Sequence, residues 1–287
     1  MKFVNMFMND MKKTIGSIGF LLAIFVTTVL LFSSTAYIDD KGQAFSIMEC
    51  VFFQKDILLN DYNFSSIMIF RKGMQGYITL FIPIIASFPF VKSFCEEKNA
   101  GIIRFMITRT GRRVYYYSKA ITALLSGGLA IMLGVLLFGG VVSILFPGIA
   151  EYNQISVSML QSPFVNDIRS IVVKELVSSF FYGVVMTLPA LACCSFCKNP
   201  YLIAGIPFFF IYIQQILVNK LYQNKIESGE FELAGKIYDF SPGAIKTIFY
   251  QMEQPESVKR ILVINAILLV ISVTCYIKIS LWQRDHA

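Results

Sequence analysis

The sequence predicts an all-α, polytopic membrane protein with six transmembrane helices, an N-terminal interfacial helix and a short cytoplasmic helix between spans two and three. Three observations carry that prediction. Of 287 residues, 56% are hydrophobic and only 15% are charged, against about 25% charged in an ordinary soluble domain, and mean hydropathy is +0.64. Long apolar runs alternate with charged segments, the pattern of helices that satisfy their own backbone in hydrocarbon. The net charge of +7 is uneven as well. The shorter connecting segments, on alternate sides, hold Lys and Arg at the higher density, which places them in the cytoplasm. That distribution argues against nucleic acid as the reason for the basic excess.

Residues 1–13 set Phe3, Phe7 and Met11 four apart with Val4 and Met8 beside them, while Asn5, Asn9, Lys12 and Lys13 fall elsewhere. This is the spacing of a helix lying in the inner interface. The first span follows at about 15–36. Its basic start, apolar run and Ser34-x-Ala36 also match a cleaved signal peptide, but the run is long for a signal's apolar region. Residues 37–74 form an outer loop with an amphipathic helix around 44–59. The second span, about 75–94, contains Pro83 and Pro89, which neighbouring helices tolerate by satisfying the freed carbonyls, so a kink is expected.

The third span, about 120–146, is long: about 27 residues at 1.5 Å make roughly 40 Å, against a hydrocarbon core of ~30 Å. Gly127, Gly128, Gly134, Gly139 and Gly140 would let neighbouring helices approach closely. An outer hairpin at 147–171 leads to the fourth span, about 172–196, and a tight cytoplasmic turn at 197–200 opens the fifth, about 200–218. The outer segment 219–259 is the largest, and Ser241-Pro242 reads as a helix start inside it. The sixth span, about 261–281, ends at Trp282, an interfacial anchor, and Arg284. Both termini are then cytoplasmic. Polar residues inside the spans, Thr27, Thr28, Tyr212, Gln214, Gln215 and Asn265, are the candidates to line a pathway. For Gln214 and Gln215 the other reading is hydrogen bonding between helices.

Much chemistry is missing from the chain. Its one histidine is His286, which disfavours His-based metalloenzymes and Ser-His-Asp hydrolases. Cys193-Cys194-x-x-Cys197 lacks a nearby fourth ligand and reads as small thiols at a helix end, so no metal site is expected. Only Cys50 lies outside, which leaves no extracytoplasmic disulfide pair. No Asp, Glu, Lys or Arg falls mid-span, which weakens, without excluding, an ion-coupled carrier. No catalytic set and no G-x-x-x-x-G-K-[ST] nucleotide loop is present.

The most strongly charged stretch between apolar runs is 92–119, with Lys92, Lys98, Arg104, Arg109, Arg112, Arg113 and Lys119 against Glu96 and Glu97. Within it, residues 101–107 form a short amphipathic segment across a cytoplasmic loop at 95–113. Glu96 and Glu97 read as surface charges or as partners of the nearby arginines. This loop resembles that of ABC transporter permeases of the type-2 exporter family: Phe94, the acidic pair Glu96 and Glu97, Gly101, the amphipathic turn from Ile102 to Ile107, an Arg-rich break from Arg109 to Arg113, and Lys119 opening the next span.

The resemblance implies a permease subunit in a bacterial plasma membrane that exports an amphipathic cargo (a peptide, a lipid-like molecule or a drug). It implies a second permease, identical or homologous, and two copies of a separate ABC ATPase subunit that bind ATP and Mg, with no cofactor on this chain. The short helix would be a coupling helix. Ile102, Ile103, Phe105 and Met106 would supply its apolar contact with the ATPase, and Glu97, Arg104 and Arg109 its charge pairs, beside Glu96, Gly101, Arg112 and Arg113 in the docking set. Antimicrobial-peptide export or immunity is one specialisation the family resemblance admits. An ion-coupled carrier and a non-transporting module that passes force or signal across the bilayer are the alternatives.

Overall fold

A computed structural model describes residues 2–39, 42–53, 62–76, 78–148, 168–248 and 255–285. The chain is mostly helical. In order the helices are α1 (Lys2–Ile15), α2 (Ile18–Phe32), α3 (Ile47–Phe53), α4 (Ser66–Gln75), α5 (Ile78–Asn99), α6 (Ile102–Thr110), α7 (Arg112–Leu145), α8 (Ile168–Phe196), α9 (Pro200–Glu227), α10 (Phe231–Tyr238) and α11 (Pro255–Asp285). Among the described residues five of them, α5, α7, α8, α9 and α11, are long and apolar enough to cross a membrane. The protein is therefore a multi-pass membrane protein.

The first predicted span is not one straight helix. At 15 residues α2 extends about 22 Å, short of a ~30 Å core. It passes the span criterion only together with α1, from which it is bent by 54°. The break falls at Gly16-Ser17, where Ser17 Oγ donates to Thr14 O at 2.7 Å and accepts from Phe20 N at 3.2 Å. The other spans run past their predicted ends: α5 to Asn99, α7 from Arg112, α9 to Glu227 and α11 from Pro255. Hydropathy marks where a helix is apolar, whereas the helix itself continues into polar sequence until a glycine or a cap stops it.

Contacts divide the chain into two compact units, one of Met1–Ala23, Ile82–Ile131 and Ser178–Ala287, the other of Ile24–Phe81 and Met132–Val177. The first unit has a core that includes Met6, Phe94, Ile103, Ile107, Tyr115 and Tyr276. Tyr116 stands edge-on between Tyr115, centroids 5.2 Å apart, and Tyr276, 5.9 Å. The Tyr276 hydroxyl is buried with no hydrogen-bond partner among the described residues. Close helix approach comes from glycine: a Cβ on Gly127 would collide with Thr187 Cγ2 and lie 2.8 Å from Ala86 O, and one on Gly183 would lie 2.9 Å from Gly128 Cα.

The second unit adds a short hairpin to the helices. β1 (Thr35–Ile38) and β2 (Ala44–Ser46) pair antiparallel with Tyr37 opposite Phe45. Gly42, at φ 78°, closes the turn, and Asp39 N donates to Gln43 O at 2.9 Å. The aromatic and β-branched residues on either side of a glycine-bearing polar turn are a hairpin signal, which the amphipathic-helix reading of 44–59 overlooked. The helix that does form is α3, started by a capping box in which Ser46 N and Oγ donate to Glu49 Oε2 at 2.7 and 2.9 Å and Glu49 N donates to Ser46 Oγ at 3.2 Å. Those two bonds hold the Glu49 carboxyl below its usual range. Residues 54–59 of the predicted helix, and 149–167 of the predicted outer hairpin, lie outside the described residues. Here Phe138 packs on Phe32 and Phe70 at 4.9 and 6.0 Å, and Gly73 gives it room.

At the predicted helix start, Ser241 Oγ accepts from Gly243 N at 3.3 Å, the bond of a capping hydroxyl, and Ala244 N donates to Ser241 O at 3.0 Å. The regular turns that follow are 3-10, at Ala244–Thr247. Of the five glycines expected at helix contacts in the third span, Gly140 has open space around it.

Two stability outcomes follow from these contacts. Gly127→Ala should cost about 1–3 kcal/mol by overpacking, read as a lower melting temperature in detergent, while Gly205→Ala, with nothing within 4 Å of the new methyl, should not lower it. Tyr276→Phe should be neutral or stabilise by about 1 kcal/mol in the same assay, because it removes a buried hydroxyl without a partner.

Candidate docking surface and the ionic cluster beneath it

The chain reverses twice around α6, at Gly101 (φ 67°) and Gly111 (φ 95°). Only glycine takes such angles without strain, and a new Cβ at either would meet nothing within 4 Å. Both glycines are therefore backbone requirements. Between them, apolar residues four apart turn Ile103 and Ile107 into the core of the first unit, with Met106 packed at its edge. The opposite face is open: Phe105 is 78% exposed and Ile102 45%, with Arg104, Thr108 and Arg109 exposed beside them. Arg112 and Arg113 are exposed at the start of α7, and Glu96 is exposed on α5, 4.0 Å from Lys92.

The four apolar residues expected to act together are thus split between two faces. Ile103 holds the helix to its own protein, Met106 flanks it, and Phe105 with Ile102 faces outward. Glu97 is the larger correction. It is neither a surface charge nor an arginine partner, for its side chain is 4% exposed and its ion pairs are with lysines.

That carboxylate belongs to a buried cluster joining α1, α5 and α7. Lys119 Nζ lies 2.8 Å from Asp10 Oδ1 and 2.8 Å from Glu97 Oε2. Ser118 Oγ donates to Asp10 Oδ2 at 2.8 Å, Tyr115 OH to Glu97 Oε2 at 3.0 Å, and Lys13 Nζ to Glu97 Oε1 at 3.0 Å. Two carboxylates and two ammonium groups make the cluster neutral, and the hydrogen bonds satisfy most of its oxygens. Burial is tolerable only on those terms. The next residue, Lys98, turns the other way: its Nζ donates to Cys194 O, Ser195 O and Cys197 O at 3.0, 3.1 and 3.2 Å. A cation thereby meets the carbonyls left open at the C-terminus of α8. Consecutive residues at the tip of α5 thus bind α1 and α7 on one side and α8 on the other.

Sequence reasoning missed this cluster because its members are 87 and 22 residues from Glu97 and each looks like an ordinary interfacial charge. The one available signal was Asp10, the only acid among residues 1–13.

The pathway candidates fall into three groups. Thr28 Oγ1 donates to Ile24 O at 3.0 Å and Gly134 O at 3.2 Å, and Thr27 is fully buried beside Gly134. Both knit α2 to α7. Tyr212 is 41% exposed and stacked on Phe208, 6.0 Å between centroids, and Gln215 is half-buried on the same helix. Gln214 and Asn265 do converge, on a crevice among α8, α9 and α11. Gln214 Nε2 donates to Phe240 O at 3.1 Å and Asn265 Nδ2 to Ile261 O at 2.8 Å.

Among the described residues no three His, Cys, Asp or Glu side chains are grouped to hold a metal ion.

Lys119→Met should leave two buried carboxylates with only the half-exposed Lys13 and cost about 3–5 kcal/mol, seen as a lower melting temperature and poor recovery from membranes. Asp10→Asn, Glu97→Gln and Lys119→Met together should restore most of the loss.

Compared with family models, curated proteins and solved structures, the chain matches none.

Proposed function

We propose that this chain is the membrane-spanning subunit of an ATP-driven ABC exporter that moves an amphipathic cargo by alternating access, with ATP and Mg bound by a separate ATPase subunit. The observation that carries this reading is α6: a short helix set between two candidate spans, seated by Ile103 and Ile107, and presenting Phe105 and Ile102 ringed by Arg104 and Arg109. An apolar anchor within a charged rim is the composition of a protein-binding patch. Beneath it, the Asp10–Glu97–Lys119 cluster ties the ends of α5 and α7 to each other and to α1. A push on α6 would then tilt both spans together instead of bending the loop.

In this reading the bent pair α1 and α2 supplies a sixth span with α1 in the inner interface, both termini face the cytoplasm, and the chain sits in a bacterial plasma membrane. Two ATPase copies and a second permease complete the complex. Helices α9 and α11, with only 22% and 17% of their most apolar stretches buried, have surface to give to that permease and to lipid. Antimicrobial-peptide export or immunity would be a special case. The cluster also bears on the alternative of an ion-coupled carrier, since it supplies buried charge that the spans lack at depth, but its charges are already balanced and bonded. A module that only passes force or signal would use α6 in the same way without moving cargo.

The test is capture of the tagged full chain from its native membranes in mild detergent, with the co-purifying ATP-hydrolysing activity measured. Phe105→Asp with Arg104→Glu should remove the activity while leaving the melting temperature of the chain unchanged. An ATPase retained in full by that variant, or none recovered with the unaltered chain, would overturn the docking role.

A further inference from the structure

Two neighbouring openings in the first unit meet at one buried carboxylate. The wider is a cleft of about 770 Å³ between α10, the end of α9 and the start of α11. The narrower is the crevice among α8, α9 and α11, about 60 Å³. Asp239 lines both. It is 2% exposed, accepts from Ser257 Oγ at 2.5 Å and is bridged by Arg260 Nε at 2.8 Å. Those two bonds fix the Asp239 carboxylate at the place where the two openings meet.

The linings differ in kind. The cleft holds three carboxylates, Glu232, Asp239 and Glu256, against two cations, Lys236 and Arg260, so it is acidic by one charge in a chain of net +7. Asp239 is fully engaged. Glu256 is 88% exposed and its carboxylate lies 3.8 Å from Arg260 Nη1, and Glu232, though bonded to Lys236, is 86% exposed. Both can therefore turn to a guest. Aromatic faces stand with them: Tyr222 and Tyr238, with centroids 5.6 Å apart, and Phe231, 70% exposed. Carboxylates together with aromatic faces attract a cation. The crevice is apolar, with Met186, Phe210, Ile264 and Leu268 among its walls. Its volume holds a few waters or one compact alkyl or aryl group, far less than an acyl chain.

We infer that the cleft and crevice form one binding site for a cation bearing a compact apolar group, the charge held by Glu232, Glu256 and the aromatic faces and the apolar group entering the crevice past Asp239. A positively charged amphipathic molecule satisfies both chambers, whereas a long-chain lipid overfills the second. That such a molecule is also the cargo rests on the exporter reading. That it binds here does not.

The test uses the full chain alone in nanodiscs of zwitterionic lipid, without any ATPase, so its result is separate from the docking experiment. Benzyltrimethylammonium, its uncharged carbon isostere neopentylbenzene, and benzenesulfonate are titrated by calorimetry against the protein and against empty nanodiscs. The cation should bind saturably and the other two should not. Phe231→Ala should weaken it about two- to fivefold, and Glu232→Gln with Glu256→Gln more than that. Leu268→Trp, which fills the crevice, should also weaken it. Glu227→Gln, an exposed acid outside both linings, should change nothing, and melting temperatures report whether each variant is folded. Equal binding of the three probes, or a cation affinity unmoved by the folded Glu232 and Glu256 variant, would overturn the site.

Discussion

Lys119 between Asp10 and Glu97 is the contact on which the arrangement of this end of the protein depends. An ammonium held at 2.8 Å by two carboxylates from two other helices is costly to desolvate and costly to break. Such a group adds little stability over a well-packed apolar substitute. What it does is penalise alternatives: any register that separates α1, α5 and α7 leaves a bare charge in a poorly solvated place. Tyr115 and Ser118, on the same turn of α7 as Lys119, complete the constraint by donating to the two carboxylates. The two glycine reversals around α6 can be sharp because the helices they join are already fixed to each other.

Packing elsewhere follows from the solvent. Lipid gives helices no hydrophobic reason to associate, so close contact and polar bonds must do so. Gly127 and Gly183 let α7 and α8 approach backbone to backbone, and Ser195 ties α8 to α11 through Tyr276 O at 3.2 Å. Where such devices are missing, as along much of α9 and α11, the helices stay largely exposed. Those stretches are mostly apolar, which suits lipid or another helix equally well.

The same unit carries the open face of α6 and the cleft and crevice around Asp239. α8 is held near its C-terminus by Lys98 of α5 and lines the crevice with Val185, Met186, Leu188 and Pro189. α11 runs from the cleft at Pro255 to the core at Tyr276 and Ile277. Helices α8 and α11 thus contribute both to the core that seats Ile103 and Ile107 of α6 and to the crevice.

Composition and hydropathy by themselves determined that this is a helical, multi-pass membrane protein, because burying an apolar helix in lipid depends on the sequence of that helix alone. The short amphipathic segment at 101–107 was legible for a similar reason, although which of its apolar residues turn inward was not, and the helix itself runs from Ile102 to Thr110. The bend at Gly16-Ser17 and the full lengths of α7, α9 and α11 were not legible, since hydropathy is blind to where a polar helix stops, and the β1–β2 hairpin carried a turn signal that a helical reading passed over. Only the tertiary structure decided that Glu97 faces inward while Glu96 faces out, that Asp10 and Lys119 meet it, and that Gln214 and Asn265 share a crevice that Thr27 and Thr28 do not. Those outcomes depend on which helices become neighbours, and a charge on a one-dimensional chain does not reveal which distant residue will neutralise it.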